Sequence, residues 1–445
     1  MDKRKSIGYE GIIAGFALFA TFFGAGNLIF PPDIGLHTGN QWVLGSLGLL
    51  ATGIILPILS IIAISNTGNS SKTLMDHVSP WYYTVFYLLT TTLIGMGSTM
   101  PRVAATTHEI GISTVFPNVP VAVTVVIFFI LIYIFTSDQH HIVDRVGKYL
   151  TPVLLLFLLA IILKTFISPI GTPQATGNDH PFTSSMLTGY LTGDLTTGII
   201  TANIFLANFA YKGFNRKELK KGIFIASIVS VIGLFIIYGG LVYLGATGTD
   251  IVQGEVGKAE LLVQLVRESL GTLGLTILAV AVSLACLTTG IGISATVAAF
   301  LADFTKDKIS YKMWLIIICI VGTLLGVSGV DRLVDYVTPL FLVIYPMCIV
   351  MTFLGLINHI LPNDGAYKGG VLMAFLFSLG DAILSTGIQS PFLAKINSLL
   401  PLSSIGFGCL VPTIVGMIAG LIILRETEKV EEDVLSTEHV GFDTE

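Results

Sequence analysis

Three short stretches of apolar sequence carry residues that could bind a charged solute. The first reads FALFATFFGAGNLIFPP, in which Gly24 and Gly26 flank Ala25 and Asn27 follows. Glycine lowers the cost of leaving a helix, and proline is tolerated in the first turn of a new one. A helix that unwinds near 22–26 and restarts near Asn27 would direct unpaired N–H groups and a positive dipole at an anion. The alternative is a glycine-lined packing seam between helices.

The second stretch, MLTGYLTGDLTTGIITANIF, carries a carboxylate, Asp194, within an apolar run that also contains Gly189, Gly193 and Gly198. A charge facing lipid costs about 2.5–3.5 kcal/mol or more, so an ionisable residue at membrane depth usually faces a cavity or a partner. Asp194 could accept an ammonium group, tune a cation site or carry a coupling proton. This stretch therefore predicts a second helix break with a solute site beside it.

The third stretch, LACLTTGIGISATVAAF, places Ala285, Thr288 and Thr289 at positions i, i+3 and i+4. One helical face then offers a backbone carbonyl and two hydroxyl groups. Neutral oxygens of this kind suit a dehydrated Na⁺ ion. The alternative is that the threonines only hydrogen-bond back to carbonyls of their own helix.

Composition indicates what surrounds these stretches. Hydrophobic residues make up 53% of the 445 residues and charged residues only 11%, where soluble domains carry about 25% charged residues. Eight of the 28 acidic residues follow Arg425, and the net charge of −5 excludes a basic field for nucleic acid. The four cysteines have no paired spacing, which argues against a disulfide framework or a metal knot. We predict an integral membrane protein whose solvent is the lipid bilayer.

The chain divides into about twelve apolar runs, each near the 20 residues that a membrane helix needs. The predicted spans are 11–34, 42–65, 81–111, 120–137, 148–168, 186–210, 222–246, 271–302, 312–328, 332–357, 369–390 and 404–424. The two interrupted spans are five helices apart, which is the spacing expected of two inverted repeats with discontinuous helices meeting at the midplane. We predict a transport core over 1–357 with repeats of about 11–168 and 186–357. Two additional spans (369–424) and an acidic tail (425–445) would follow.

Loop charges predict the orientation. If the N-terminus is cytoplasmic, seventeen of the 23 Lys and Arg residues lie on the cytoplasmic side and five on the other, with Arg102 inside a span. Both termini should then be cytoplasmic. Residues 250–269 are too polar to cross and place Leu261, Leu262, Leu265 and Val266 on one helical face, which predicts an amphipathic helix at the outer surface.

The quoted stretches resemble a known family, the bacterial branched-chain amino acid:cation symporters of the BrnQ type. The signature in the first span is specific, and MPRVAATTHEIGI, GYLTGD and CLTTGIGI in the third, sixth and eighth spans support it. The resemblance implies the five-plus-five inverted-repeat fold of the amino acid–polyamine–organocation superfamily, which is similar to the leucine transporter. It further implies a multi-pass protein of the bacterial cytoplasmic membrane.

The resemblance also implies roles for individual residues. Backbone N–H groups of Gly24, Ala25 and Gly26 would hold the substrate carboxylate. Carbonyls near Thr21, Phe22, Thr192 and Gly193 would take the ammonium group, with Asp194 and Asn27 beside them. The coupling cation would lie between the carbonyls of Ala20 and Phe23 and the face formed by Ala285, Thr288 and Thr289. The sixth span continues as LTTGIITAN, which is more polar than is usual in this family, so the side-chain pocket is expected to differ.

Other ionisable residues within the spans have structural alternatives. Arg102 and Glu109 are seven residues apart in the third span and could form a gate or a static ion pair. His108 is expected to be a satisfied interface histidine, and Asp381 in the eleventh span to be structural.

These observations predict a cation-coupled importer of leucine, isoleucine or valine that works by alternating access, with Na⁺ or H⁺ as the coupling ion. Another secondary transporter of the same fold, for a different neutral amino acid or small organic solute, is the alternative. The sequence contains no G-x-x-x-x-G-K-[ST] motif, which argues against a nucleotide-driven pump. It also shows no cluster of catalytic residues, which argues against an enzyme. The sequence indicates no cofactor and no obligatory protein partner.

Overall fold

The computed structural model describes residues 6–138, 146–252, 254, 256–388 and 390–424. Within these ranges the regular structure is helical and contains no β-strand. The acidic tail predicted from residue 425 lies outside the described residues.

Helices account for every predicted span. They are Ile7–Phe22, Ala25–Thr38, Trp42–Leu50, Leu56–Asn66, Ser71–Asp76, Tyr82–Leu89, Met100–Thr106, Ser113–Val115, Val121–Thr136, Thr151–Ile167, Pro181–Tyr190, Asp194–Tyr211, Arg216–Thr247, Lys258–Phe304, Tyr311–Gly326, Val330–Leu356, Gly365–Ser385, Pro391–Leu399 and Leu410–Ile423. Wider π-helical turns at Ala51–Ile55, Thr90–Thr99, Thr107–Ile112 and Val146–Leu150 join several of them. Six helical stretches of the described residues are long and apolar enough to cross a membrane, and four further apolar helices have 10–17 residues.

Large apolar side chains cover the outside of these helices. Leu156, Ile167 and Leu273, for example, are 65%, 80% and 70% exposed. Such a surface is a liability in water but is the expected contact face in a bilayer. The prediction of an all-α protein with many membrane-spanning helices is therefore confirmed.

The first and sixth spans are both discontinuous, as predicted. In the first, the N-terminal half-helix ends at Phe22 and the C-terminal half-helix begins at Ala25, because Gly24 adopts an extended conformation (φ −108°, ψ −162°). In the sixth, the N-terminal half-helix ends at Tyr190 and the C-terminal half-helix begins at Asp194. Gly193 is left-handed there (φ 77°), a conformation that glycine adopts without steric cost.

The segment before the eighth span is an amphipathic helix, as predicted. It begins at Lys258 and turns into the span at Gly271, whose φ of 62° breaks the helical path. Leu261, Leu262, Leu265 and Val266 are at most 1% exposed and pack inward. An ion pair of 2.6 Å between Lys258 Nζ and Asp33 Oδ2 ties this helix to the C-terminal part of the first span.

The last two spans pack closely on each other. Cβ atoms added at Gly369 or Gly420 would lie 2.0 Å from the carbonyl oxygens of Gly416 or Gly365, so only small residues allow this approach. The twelfth span begins at Leu410 rather than at the predicted 404, because Leu402 and Gly406 are left-handed (φ 66° and 83°). The division into a ten-span core and two additional spans remains a prediction.

Candidate functional site at the two helix breaks

The two broken spans meet through a side-chain bridge. Asn27 Nδ2 donates to Asp194 Oδ1 and Oδ2 over 3.0 and 2.9 Å, and also to the Phe22 carbonyl on the other side of the first break. Asn27 and Asp194 are 1% and 3% exposed. Each lies in the first turn of a C-terminal half-helix, so the bridge joins the starts of the two half-helices.

The carboxylate of Asp194 is surrounded by neutral donors. Besides Asn27 Nδ2, the Tyr238 hydroxyl of the seventh span donates to Asp194 Oδ2, over 3.3 Å. The backbone N–H of Asp194, in turn, donates to Thr192 Oγ1 over 3.4 Å. Asp194 is also the first residue of its half-helix, where the helix dipole favours a negative charge. The Gly193 turn that presents it packs so tightly that an added Cβ would lie 2.7 Å from Phe341 Cζ. The arrangement holds a buried carboxylate in one orientation beside the break.

A cluster of oxygen atoms lies between the first and eighth spans. Thr289 Oγ1 lies 3.0 Å from the Ala20 carbonyl oxygen and 3.3 Å from that of Thr21. Thr288 Oγ1 lies 3.3 Å from the Ala20 carbonyl oxygen and 2.9 Å from that of Ala285. The structure thus brings Ala20, Ala285, Thr288 and Thr289 together, and the Thr21 carbonyl joins them.

This oxygen cluster is short of hydrogens. Each threonine hydroxyl supplies one hydrogen, whereas each carbonyl oxygen has two acceptor lone pairs. Both hydroxyls therefore face more acceptors than they can satisfy. A surplus of neutral oxygen lone pairs in a buried site is what a hard monovalent cation requires. The residues of the oxygen cluster fit such an ion. A metal site of the other common kind, built from three or more His, Cys, Asp or Glu side chains, does not occur among the described residues.

Gly24 couples the first break to this cluster. A Cβ atom added at Gly24 would lie 2.9 Å from both Oγ1 and Cγ2 of Thr289. Because Gly24 has a negative φ, its conformation is open to other residues, and the close approach to Thr289 is what requires glycine. Movement of the first break therefore changes the space beside the Thr289 hydroxyl.

The remaining predicted residues take different positions. The Gly24 N–H donates to the Phe22 carbonyl over 2.8 Å, so Ala25 and Gly26 are the residues whose N–H groups open the half-helix. Phe23 packs its ring on Phe19 at a centroid distance of 5.3 Å. In the oxygen cluster, the Thr289 hydroxyl contacts the Thr21 carbonyl, whereas the expected carbonyl was that of Phe23.

Arg102 and Glu109 do not pair. Arg102 Nη1 donates to the Leu191 carbonyl at the sixth-span break over 3.4 Å, whereas Glu109 Oε1 accepts from the Val330 N–H over 3.0 Å at the start of the tenth span. A π-helical turn begins at Thr107, between the two residues, and its i→i+5 hydrogen bonds change the helical period. Each of the two residues thus contacts a different neighbouring span.

Two other titratable groups have hydrogen-bond partners, and their expected structural role stays a prediction. His108 Nδ1 lies 3.0 Å from Thr124 Oγ1, and Asp381 Oδ1 accepts from Asn397 Nδ2 over 2.8 Å. Tyr238, in contrast, is a contact of the site that the sequence analysis missed. Tyr238 lies in the apolar run FIIYGGLVY, and no neighbouring residue there indicates a contact with Asp194.

Comparison with known sequences finds close relatives over nearly the whole chain. The family described as branched-chain amino acid transport protein matches residues 8–427. The branched-chain amino acid permease BraB of Bacillus subtilis is 34% identical over 427 residues, covering 93% of this chain and 95% of the relative. The permease BrnQ of the same organism is 32% identical over 435 residues, covering 95% and 98%.

Comparison with solved structures finds the same fold in transporters of unlike solutes. Mhp1, a nucleobase-cation-symport-1 family transporter with bromovinylhydantoin bound, aligns with a TM-score of 0.59 at 14% identity over 94% of this chain and 92% of its own. A manganese transporter of Eremococcus coleocola aligns with a TM-score of 0.59 at 15% identity over 94% and 95%. The chain therefore has the leucine-transporter-like fold, and that fold alone does not specify a solute.

Proposed function

The chain belongs to the branched-chain amino acid transport protein family, and from that premise we propose that it imports leucine, isoleucine and valine together with Na⁺. Members of this family are membrane transporters and not enzymes. The chain is accordingly a multi-pass membrane protein of a bacterial family, and we place both termini in the cytoplasm on the strength of the loop charges.

The observation that carries the proposal is the meeting of the two breaks through Asn27 and Asp194, next to the oxygen cluster. A zwitterion entering this place would lose its hydration shell, and buried charge must then be compensated by the protein. Asp194 supplies a negative charge for the ammonium group. The N–H groups of Ala25 and Gly26, at the positive end of a half-helix, are positioned for an anion.

Na⁺ is favoured over H⁺ by the chemistry of the oxygen cluster. The ligands offered by Ala20, Thr21, Ala285, Thr288 and Thr289 are carbonyl and hydroxyl oxygens, which do not titrate near neutral pH. A proton would instead require Asp194. The two coupling ions would therefore act at different residues, which makes them separable by experiment.

Coupling follows from the contact of Gly24 with Thr289. A cation that draws the oxygens of the first and eighth spans together holds the first break in place, and an ordered break presents Asn27 and the half-helix to the amino acid. By thermodynamic linkage, the amino acid must raise the affinity for the cation by the same factor. Alternating access then moves the site from one side of the membrane to the other.

The direct test is counterflow in proteoliposomes. Vesicles containing the purified protein and loaded with unlabelled leucine should accumulate labelled leucine transiently, only with Na⁺ present, and isoleucine and valine should compete. Asp194→Asn should abolish this activity, while Asn203→Ala, in the same half-helix but bonded to Ser71, should retain it. Leucine counterflow that depends on pH and not on Na⁺ would replace Na⁺ by H⁺. Absence of leucine counterflow with a response to another neutral solute would favour the alternative substrate.

A further inference from the structure

A buried guanidinium group lies at the break of the sixth span. Arg102, in the third span, is 3% exposed, and its Nη1 reaches the Leu191 carbonyl only over 3.4 Å. Its Nε is buried and has no hydrogen-bond partner among the residues that the structure describes. A buried donor that lacks a partner carries a desolvation cost, and the cost is larger for a charged group. Arg102 therefore has bonding capacity that the described residues do not use.

The opposite charge lies across the same break. Leu191, whose carbonyl Arg102 contacts, lies three residues before Asp194, so the guanidinium and the carboxylate belong to the same break. Neither Arg102 nor Asp194 is in an ion pair with any residue that the structure describes. Two buried groups of opposite charge thus lie at one break without forming an ion pair with each other.

An amino acid carries the two complementary charges on one carbon atom. Its ammonium group matches Asp194, and its carboxylate matches a guanidinium, which binds carboxylates through two parallel N–H···O bonds. We propose that Arg102 binds the substrate carboxylate while Asp194 binds the ammonium group, so that Arg102 makes the carrier selective for free amino acids over their amides and amines. This inference rests on the proposed function and adds a full positive charge to the partial charges of the half-helix N–H groups.

The competing explanation is that Arg102 only braces the third span against the Leu191 carbonyl. A brace would affect all ligands alike, whereas a carboxylate-binding residue would affect only ligands that carry a carboxylate. L-leucine and L-leucinamide share the side chain and the ammonium group and differ at the carboxylate. Comparing them separates the two explanations.

The experiment measures binding of both ligands to the purified full chain in saturating Na⁺, at about pH 6 so that both amines are protonated. Wild type should bind leucine at least about 30-fold more tightly than leucinamide, as expected for a buried charge pair. In Arg102→Gln this ratio should fall to within about threefold through loss of leucine affinity alone. Arg102→Lys should retain part of the preference, and Arg267→Gln, on the exposed face of the amphipathic helix, should retain all of it.

Three results would overturn the inference. The first is that the wild-type protein binds leucine and leucinamide equally well. This result does not depend on whether any variant folds. Another is an Arg102→Gln protein that weakens both ligands by the same factor. If that variant does not fold, an Arg102→Lys protein that weakens both ligands equally is the third. A wild-type protein that binds neither leucine nor leucinamide would instead contradict the proposed function.

Discussion

The two helix breaks differ in what they offer a solute. The first break presents backbone carbonyls, at Ala20 and Thr21, to two hydroxyl groups of the eighth span. The second break presents a carboxylate, Asp194, held by side-chain donors from the first and seventh spans. Neutral oxygens can bind a metal cation without titrating, whereas a fixed carboxylate pairs with an ammonium group or a proton. The proposed function accordingly uses the first break for the cation and the space between both breaks for the zwitterion.

Glycine also serves the two breaks for different reasons. Gly24 has a negative φ, and its hydrogen side chain leaves room for Thr289. Gly193 has a φ of 77°, and an added Cβ would also meet Phe341. At Gly24 glycine is required by a steric contact, which a smaller residue in place of Thr289 would relieve. At Gly193 glycine is required by a backbone conformation, which cannot be relieved in that way.

The largest expected effect comes from filling these two positions. Gly24→Ala and Gly193→Ala should each abolish leucine uptake into proteoliposomes, because one displaces Thr289 and the other strains the turn that presents Asp194. Gly239→Ala, in the seventh span with open space beside it, should retain uptake and controls for the added methyl group.

Second-site changes then separate the two glycines. Thr289→Ala should restore leucine binding to Gly24→Ala, since the clash involves Oγ1 and Cγ2 of Thr289. Phe341→Ala should not restore binding to Gly193→Ala, because the left-handed backbone remains strained. Equal rescue of both would mean that the two breaks impose the same kind of constraint.

The next effect concerns the residue that joins the breaks. Asn27→Ala removes the amide group that donates to the Asp194 carboxylate, and a hydrogen bond with one charged partner contributes about 1.5–3 kcal/mol. Leucine affinity, measured by calorimetry in saturating Na⁺, should fall about 30-fold. Asn203→Ala is the matched control and should leave affinity unchanged. An Asn27→Ala protein with wild-type affinity would remove the bridge from the binding mechanism.

A smaller effect is expected at the oxygen cluster. Thr289→Ala removes one neutral ligand, so the Na⁺ concentration for half-maximal leucine uptake should rise about tenfold while uptake in saturating Na⁺ stays near normal. Thr296→Ala, whose hydroxyl donates only to Gly292 of its own helix, should behave as wild type. An unchanged Na⁺ dependence in Thr289→Ala would argue that the cluster merely packs the two spans.

Much of this architecture could be predicted from local sequence. Apolar runs of membrane length identified the spans, and the glycines beside Asn27 and Asp194 identified both breaks, because lipid allows unpaired backbone only where a cavity or partner compensates it. The i, i+3, i+4 spacing placed Thr288 and Thr289 on one helical face, and the family resemblance predicted that this face meets Ala20. Each of these features depends on neighbouring residues within one helix.

The rest depends on packing between distant spans. The gate or ion pair considered for Arg102 and Glu109 was inferred from their spacing alone, whereas each residue contacts a different neighbouring span. Tyr238 reaches Asp194 from 44 positions along the chain, so no spacing rule marks it. The steric role of Gly24 likewise requires knowing that Thr289 lies beside it. The sequence therefore identified the breaks and the threonine face of the eighth span, but not the contacts that Arg102 and Tyr238 make at the second break.

The smallest expected effect tests one of those contributions. Tyr238→Phe removes a single 3.3 Å hydrogen bond to Asp194 and keeps the ring that packs on Phe23 at 5.9 Å. At 3.3 Å this O–H···O bond is longer than usual, so we expect it to contribute only about 1 kcal/mol and leucine affinity to fall about fivefold with Na⁺ dependence unchanged. Because Tyr238 contacts the carboxylate and not the oxygen cluster, a shift in Na⁺ dependence without a loss of leucine affinity would contradict the separation of the two breaks. Tyr345→Phe, which loses a bond to the Thr52 carbonyl instead, provides the matched control.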